Sequence, residues 1–252
     1  MKLSCIFFPA VLIPVLLAFS ACSPSLSVRI DGGESAAFAH SGFTLSLSPS
    51  AENLAQTLAG GQSLFDAGTI ADGFARAGFP QPEDIRADGN GLRLSVSFGK
   101  IPLESHAVFQ TGTGGARAFD LRPAEKTLNI RLTRGNVRQI ADLLPAELFA
   151  YSDLFMAPVL TGEQLSENEY TALIGAAYGP RAEQEMREAV FTLTAECPAA
   201  VTEATALIQT GAGFQDAPDI QVETNGGQVC FRIPVARLLC LTQPVSLSVR
   251  WQ

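Results

Sequence analysis

The strongest fold signal in this chain is the stretch Ile220-Gln221-Val222-Glu223-Thr224-Asn225-Gly226-Gly227-Gln228-Val229-Cys230-Phe231-Arg232-Ile233. Its second half alternates apolar Val229, Phe231 and Ile233 with other residues, which is typical of a strand with one buried face and one wet face. The turn residues Asn225-Gly226-Gly227 accept positive φ angles at little cost. The stretch therefore predicts a β-hairpin in an antiparallel sheet.

The same alternation recurs elsewhere in the chain. It predicts further strands around residues 26–30, 43–47, 92–98, 128–132, 191–193 and 247–251. Turn-forming residues flank two of them, since Asp31-Gly32-Gly33 follows the first and Asp88-Gly89-Asn90-Gly91 precedes the third. Strands of this kind are expected to pair in antiparallel order.

Helical segments are predicted between the strands. Ser166 and Glu169 have the spacing of a capping box, and Gly179-Pro180 ends that helix. Apolar spacing predicts other helices over residues 136–150, 51–58, 69–77 and 181–188. This order predicts an α+β fold, with an antiparallel sheet or sheets and helices packed on one face. We expect a single α+β domain over residues 28–252, either undivided or two-lobed with a helical segment at 134–188.

The first 21 residues have the features of an export signal. Lys2 precedes an apolar stretch that ends in small residues before Cys22, which is the order of a cleavable signal peptide. Plain secretion after a cut behind Ser20 is an alternative. A retained membrane helix is disfavoured because it needs about 20 apolar residues, whereas Pro9 and Pro14 interrupt this run.

The run Leu16-Leu17-Ala18-Phe19-Ser20-Ala21-Cys22 resembles the lipobox of bacterial lipoproteins. The resemblance implies that the thiol of Cys22 receives a diacylglycerol and that residues 22–27 form a short lipidated tether. It places the protein in the bacterial cell envelope, anchored to a membrane by lipid. Because Ser23 is not an acidic retention signal, resemblance to the enterobacterial sorting rule favours the outer membrane.

The remainder of the chain is similar to a group of uncharacterised spirochaete lipoproteins. The similarity rests on a strand and Asp-Gly turn at 28–32, a Leu/Phe-rich stretch at 143–155, Glu169-Tyr170, and Arg232-Ile233-Pro234 with the apolar residues up to Leu239. These motifs form turns and packing surfaces. The resemblance implies a lipid-anchored envelope protein without an assigned activity.

The charge balance argues against some partners. The formal net charge is −8 at pH 7, and because Lys2 is the only charged residue among the first 21, the part that follows carries −9. Nucleic acids and anionic membrane surfaces attract clusters of Lys and Arg, which this sequence does not contain. We therefore expect no nucleic-acid partner and a membrane contact made through lipid.

Three cysteines follow Cys22. Cys197, Cys230 and Cys240 are interpreted either as small buried apolar residues or as including a Cys197–Cys230 disulfide, since an oxidising compartment permits one. An odd number leaves at least one thiol unpaired. Their spacing does not match a metal site.

Catalytic patterns are weak. His40 and His106 could be combined with Ser63 or Ser105 in a triad, but the sequence has no nucleophile elbow. The glycine-rich run at 111–115 lacks the Gly-Lys ending of a phosphate-binding loop. We therefore expect no catalytic site, no metal and no cofactor, and the protein is not predicted to be an enzyme.

One stretch is unusually apolar. Residues 143–156 are apolar on more than one side of a helix, which fits either a core helix or an exposed surface or cavity for an apolar ligand or a partner. The candidate residues are Leu144, Leu148, Phe149, Phe155 and Met156. The predicted function is therefore a binding or scaffolding lipoprotein with an unknown envelope protein as partner, or alternatively a carrier or sensor of an apolar ligand or lipid.

Overall fold

The computed structural model describes residues 24–33, 36–50, 67–76, 80–88, 93–103, 118–136 and 157–252. Most of its described strands belong to a larger sheet: β1 (Ser25–Ile30), β2 (Ala37–Ser46), β3 (Asp84–Ala87), β4 (Arg93–Phe98), β5 (Ile101–Pro102), β8 (Val190–Glu196), β11 (Gln221–Asn225) and β12 (Gln228–Pro234). The smaller sheet contains β6 (Phe119–Arg122), β7 (Thr127–Leu132), β9 (Val201–Thr210), β10 (Gly213–Asp216) and β13 (Val245–Trp251).

The strand order differs strongly from the order along the chain. The larger sheet runs β11-β12-β8-β1-β2-β4-β3, with β5 beside β2, and the smaller sheet runs β10-β9-β13-β7-β6. Among the described strands every pairing is antiparallel except β1 with β8. Parallel neighbours need a long crossover connection. Here the chain forms the strands β2 to β7 before it returns to form β8 beside β1. The predicted α+β class with mainly antiparallel sheets is confirmed.

The hairpin predicted from residues 220–233 forms as expected. Asn225 pairs with Gln228, so Gly226 and Gly227 make the two-residue turn, and Gly226 has a φ of 58°. A Cβ atom on Gly227 would lie 3.1 Å from the carbonyl oxygen of Ala199 and 3.2 Å from that of Cys197. Glycine is therefore favoured at one position by conformation and at the other by close backbone approach.

The main core lies between the two sheets. The larger sheet contributes residues such as Leu193 and Phe231, and the smaller sheet contributes Leu128, Leu247 and Trp251, all in one buried cluster. The second sheet thus covers part of the apolar face for which the sequence predicted only helices. Two packed sheet faces bury more apolar area than either sheet alone can, which is the main stabilising contribution here.

A helix covers the other end of the larger sheet. Helix α1 (Ala67–Arg76) packs Ile70 and Phe74 against Leu45, Leu94 and Phe98. The rings of Phe74 and Phe98 meet edge to face, with centroids 5.4 Å apart, a favourable aromatic geometry. This helix matches the segment predicted over residues 69–77.

In the described part of the chain, four further α-helices of at least four residues follow, namely α2 (Pro158–Thr161), α3 (Glu167–Tyr178), α4 (Pro180–Glu188) and α5 (Val235–Cys240). The predicted capping box of α3 is present, since the backbone N–H of Glu169 donates to Ser166 Oγ and the backbone N–H of Ser166 donates to the carboxylate of Glu169. Helices α3, α4 and α5 share a buried cluster around Tyr170 and Met186. The helix predicted between Ser166 and Gly179 and the one predicted over residues 181–188 are confirmed as α3 and α4.

The remaining helix predictions lie largely outside the described residues. Residues 134–136 are helical, which agrees with the start of the helix predicted over 136–150. The rest of that helix, and the one predicted over 51–58, are not described.

Glu185 connects α4 to the chain that follows β2. Its Oε2 accepts hydrogen bonds from Ser48 Oγ at 2.6 Å and from the backbone N–H of Ser50 at 3.1 Å, and its Oε1 accepts one from Arg181 at 3.0 Å. Burial raises the pKa of Glu185, but the hydrogen bonds from Ser48, Ser50 and Arg181 together lower it below its ordinary value. The folded state therefore favours the ionised carboxylate.

Replacing Glu185 with glutamine is expected to lower the free energy of unfolding at pH 7 by about 1–2 kcal/mol, because hydrogen bonds to a charged acceptor are lost. A lowered pKa in the folded state gives stability that is present above the unfolded pKa and is lost as pH falls through the folded pKa. Urea unfolding of the wild type and the variant at pH 7 and at pH 3 measures the loss in the free energy of unfolding at each pH. Glu188→Gln, which removes an exposed carboxylate on the same helix, should change little. An equal loss for Glu185→Gln at both pH values would contradict the assignment.

Candidate ligand-binding groove

A groove of about 710 Å³ lies on the face of the smaller sheet that points away from the main core. It crosses all five strands of that sheet. The side chains that line it are Asp120, Arg122, Asn129, Arg131, Thr205, Leu207, Phe214, Ser246 and Ser248. Its volume lies within the range of small-molecule sites, about 300–1,000 Å³.

The alternation of β13 decides which residues face the groove. Val245, Leu247 and Val249 are each at most 1% exposed in the core, so Ser246 and Ser248 point to the opposite face. The strand register places Ser248 between Asn129 and Thr205. It places Ser246 between Arg131 and Leu207. Three neighbouring strands thus build a mainly polar groove floor in two rows.

The polar side chains of the floor are ordered by contacts with one another. The hydroxyl of Ser248 donates a hydrogen bond to Asn129 Oδ1 at 2.8 Å. Arg131 Nη2 donates to Gln209 Oε1 at 2.6 Å. Side chains held in this way lose less conformational freedom when a ligand binds.

The two arginines of the groove have different surroundings. Arg122 lies 2.9 Å from Asp120 and 3.3 Å from Glu125, and these carboxylates, Asp120 first, raise the pKa of the Arg122 guanidinium. Arg131 has the neutral amide of Gln209 as its partner. Its Nε is buried without a hydrogen-bond partner, and among the described residues no carboxylate forms an ion pair with it. The positive charge of Arg131 is therefore not compensated by the described part of the chain.

An apolar surface borders the polar floor. Phe214 on β10 is 57% exposed, and it is the one large apolar side chain that the described residues leave exposed. Leu207 on the adjacent strand β9, two residues before the partner of Phe214 in the ladder, also lines the groove. A large exposed aromatic side chain beside polar groups is a common feature of ligand sites.

The cysteines do not form the Cys197–Cys230 disulfide, which the sequence left open as one of two interpretations. Cys197, Cys230 and Cys240 are free thiols. The register pairs Cys230 with Thr194, three residues before Cys197, and three residues of strand span about 10 Å. A disulfide needs Cα atoms within about 7 Å, so the sheet geometry overturns the Cys197–Cys230 prediction. Burial raises the pKa of Cys197 to about 11 and, as the largest cause, that of Cys240 to about 12.

Several predicted site residues lie outside the described part of the chain. These are Cys22, Leu144, Leu148, Phe149, Phe155 and Met156; His106, Ser63 and Ser105, from which no catalytic site is predicted, also lie outside it. His40 lies in β2 opposite Arg29, on the larger sheet and away from the groove. Within the described residues, no three His, Cys, Asp or Glu side chains lie close enough to share a metal ion.

Sequence reasoning missed the groove. The two strands that contain Asn129, Arg131, Ser246 and Ser248 were predicted. The pairing of these strands with each other and with β9 was not. The available signal was the polar set of alternate positions in β7 and β13, combined with Phe214 in an otherwise polar segment.

Comparisons of the chain with models of protein families, with curated proteins and with solved structures find no match. The chemistry of the site is therefore argued from its own residues.

Proposed function

We propose that this protein is a lipid-anchored lipoprotein of the bacterial envelope whose folded domain binds an envelope component in the groove of the smaller sheet. The observation that carries the binding role is the groove itself, in which Asn129, Ser248 and Arg131 present hydrogen-bonding groups beside exposed Phe214. Polar groups fixed on a rigid sheet can recognise a ligand without a conformational change.

The anchoring role rests on the sequence before the domain. The export signal ends in a lipobox-like run at Cys22, and the described chain enters β1 at Ser25. This spacing would hold the domain close to the membrane surface. Several acyl chains at about 0.8 kcal/mol per buried methylene are enough for stable anchoring. Among the described residues, no helix has the length and apolar character needed to cross a membrane.

Metabolic labelling with a palmitate analogue tests the anchor. We expect the label and membrane association for the wild type and complete loss of both for Cys22→Ala, because the acyl acceptor is removed. Cys5→Ala is the matched control, since Cys5 lies within the predicted signal peptide, and it should leave labelling unchanged. Label retained by Cys22→Ala, or an exported protein whose intact mass begins at Ala21 without acyl groups, would refute the lipoprotein assignment.

A further inference from the structure

We propose that the groove of the smaller sheet binds a carboxylated sugar, with Arg131 pairing its carboxylate and Phe214 packing against its ring. This inference rests on the binding role proposed above and names the class of ligand. Three features of the groove support it: one uncompensated positive charge, a floor of hydroxyl and amide groups, and an exposed aromatic side chain at the rim.

The charge of Arg131 indicates an anionic group on the ligand. Its guanidinium is half-buried, it donates to the neutral side chain of Gln209, and its Nε has no hydrogen-bond partner among the described residues. A half-buried cation of this kind is stabilised by an anion with good hydrogen-bond geometry. A ligand can supply this anion, because the hydrogen-bond partner of Arg131 among the described residues is a neutral amide.

The groove favours a single negative charge over a phosphate. Arg122, the other cation in the groove, already contacts Asp120 and Glu125. A dianionic phosphate would meet one uncompensated cation and, nearby, the carboxylate of Asp120. A carboxylate matches the single charge of Arg131, and guanidinium and carboxylate have complementary planar geometry.

The floor of the groove indicates a ligand rich in hydroxyl groups. Asn129, Ser248, Thr205 and Ser246 offer neutral donors and acceptors, while Asp120 can accept a hydrogen bond from a hydroxyl. A purely apolar ligand would separate the remaining donors and acceptors of these groups from water without replacing those hydrogen bonds, at a cost for each one. The polar floor therefore favours a polyhydroxylated molecule over a lipid tail.

Phe214 supplies the apolar part of the site. The C–H groups on one side of a sugar ring form an apolar surface that an aromatic face can cover. Phe214 is 57% exposed and lines the groove together with Leu207. The ring of Phe214 and the polar floor thus suit the two faces of a sugar.

The topology argues against an extended peptide as the ligand. The groove crosses the face of the sheet from β6 to β10, and the backbone groups of the inner strands β7, β13 and β9 are used by their own ladders. A peptide added as a strand needs the free backbone groups of a sheet edge. Recognition within this groove must therefore come from side chains.

Titration of the purified mature protein followed by NMR tests the proposal, with glucuronate as the carboxylated sugar, glucose as the same ring without a carboxylate, and acetate as a bare carboxylate. We expect glucuronate to bind at least about tenfold more tightly than either of the others, since the ion pair and the ring contacts contribute together. Arg131→Gln should weaken glucuronate binding about tenfold and remove the preference over glucose. Phe214→Ala should weaken both sugars several-fold.

Arg250→Gln is the matched control. Arg250 lies on the same sheet face, 3.5 Å from Glu203, but it does not line the groove, so binding should be unchanged. Each variant is first shown to be folded by the fluorescence of Trp251. Equal binding of glucose and glucuronate, equal binding of acetate and glucuronate, or no binding of glucuronate would each overturn the proposal. Acylation of Cys22 is measured separately, so failure here leaves the lipoprotein assignment intact.

Discussion

Phe231→Ala is expected to lower the free energy of unfolding by about 3–5 kcal/mol. Phe231 is fully buried between the two sheets, in the same cluster as Leu128 and Leu247 of the smaller sheet. Removing the ring takes away its transfer free energy and leaves a cavity that two stiff sheets cannot close. Urea unfolding followed by the fluorescence of Trp251, the only tryptophan in the chain, measures the change.

The matched control for this substitution is Phe214→Ala. The same atoms are removed there from a side chain that is 57% exposed, so the change in stability should stay within about 0.5 kcal/mol. A difference of less than 1 kcal/mol between the two variants would contradict the face-to-face arrangement of the sheets. The pair therefore tests the central packing feature of the fold.

Arg237→Ala is expected to cost about 2–3 kcal/mol. The guanidinium of Arg237, 17% exposed, lies between the carboxylates of Glu167 and Asp219 and thereby connects α5 to α3 and to the chain before β11. Removing the cation leaves two half-buried carboxylates facing each other without a counter-charge. A fully buried pair would cost more, about 3–5 kcal/mol, and partial exposure reduces this value through solvent screening.

The effect of Arg237→Ala should depend on pH. Burial, followed by repulsion from Asp219, raises the pKa of Glu167, and Arg237 opposes both. Without Arg237 the folded-state pKa rises further, so the variant loses stability as pH rises from the unfolded pKa of about 4.5 through the folded value. The difference from the wild type should therefore be larger at pH 8 than at pH 4.

Two controls distinguish this arrangement from a general effect of losing arginine. Arg29→Ala removes an ion pair whose side chains are 61% and 45% exposed and should cost less than about 1 kcal/mol. Arg237→Met combined with Glu167→Gln and Asp219→Asn should recover most of the lost stability, because no charge remains unpaired. If the triple variant is as unstable as Arg237→Ala, the unpaired carboxylates are not the cause of the loss.

Some elements were predictable because their causes are local. The capping box joins Ser166 and Glu169 within one turn, and the hairpin at Gly226 and Gly227 needs only the conformational freedom of adjacent glycines. The strand that contains Leu247 and Val249 was predicted from alternation alone. In each case residues within a few positions of one another decide the conformation.

Other elements were missed because their alternation is interrupted or because they are too short to show a pattern. In β9, Ile208 packs toward the core while adjacent Leu207 lines the groove, so apolar residues occur in succession and the alternation disappears. The short strands β3 and β10 contain too few residues for a period to be read. The helix α5 immediately follows β12, and its six residues carry no capping motif.

The amino-acid order alone determined the turns, the capped helix and most of the strands, since each depends on short-range sterics and periodicity. Tertiary structure decided the rest: the parallel pairing of β1 with β8, the second sheet over the first, the separation of Cys197 from Cys230, and the convergence of Asn129, Arg131 and Ser248 on one groove. These features join residues that are far apart along the chain. Which strand becomes the neighbour of which depends on the total apolar area buried, and no local pattern encodes that sum.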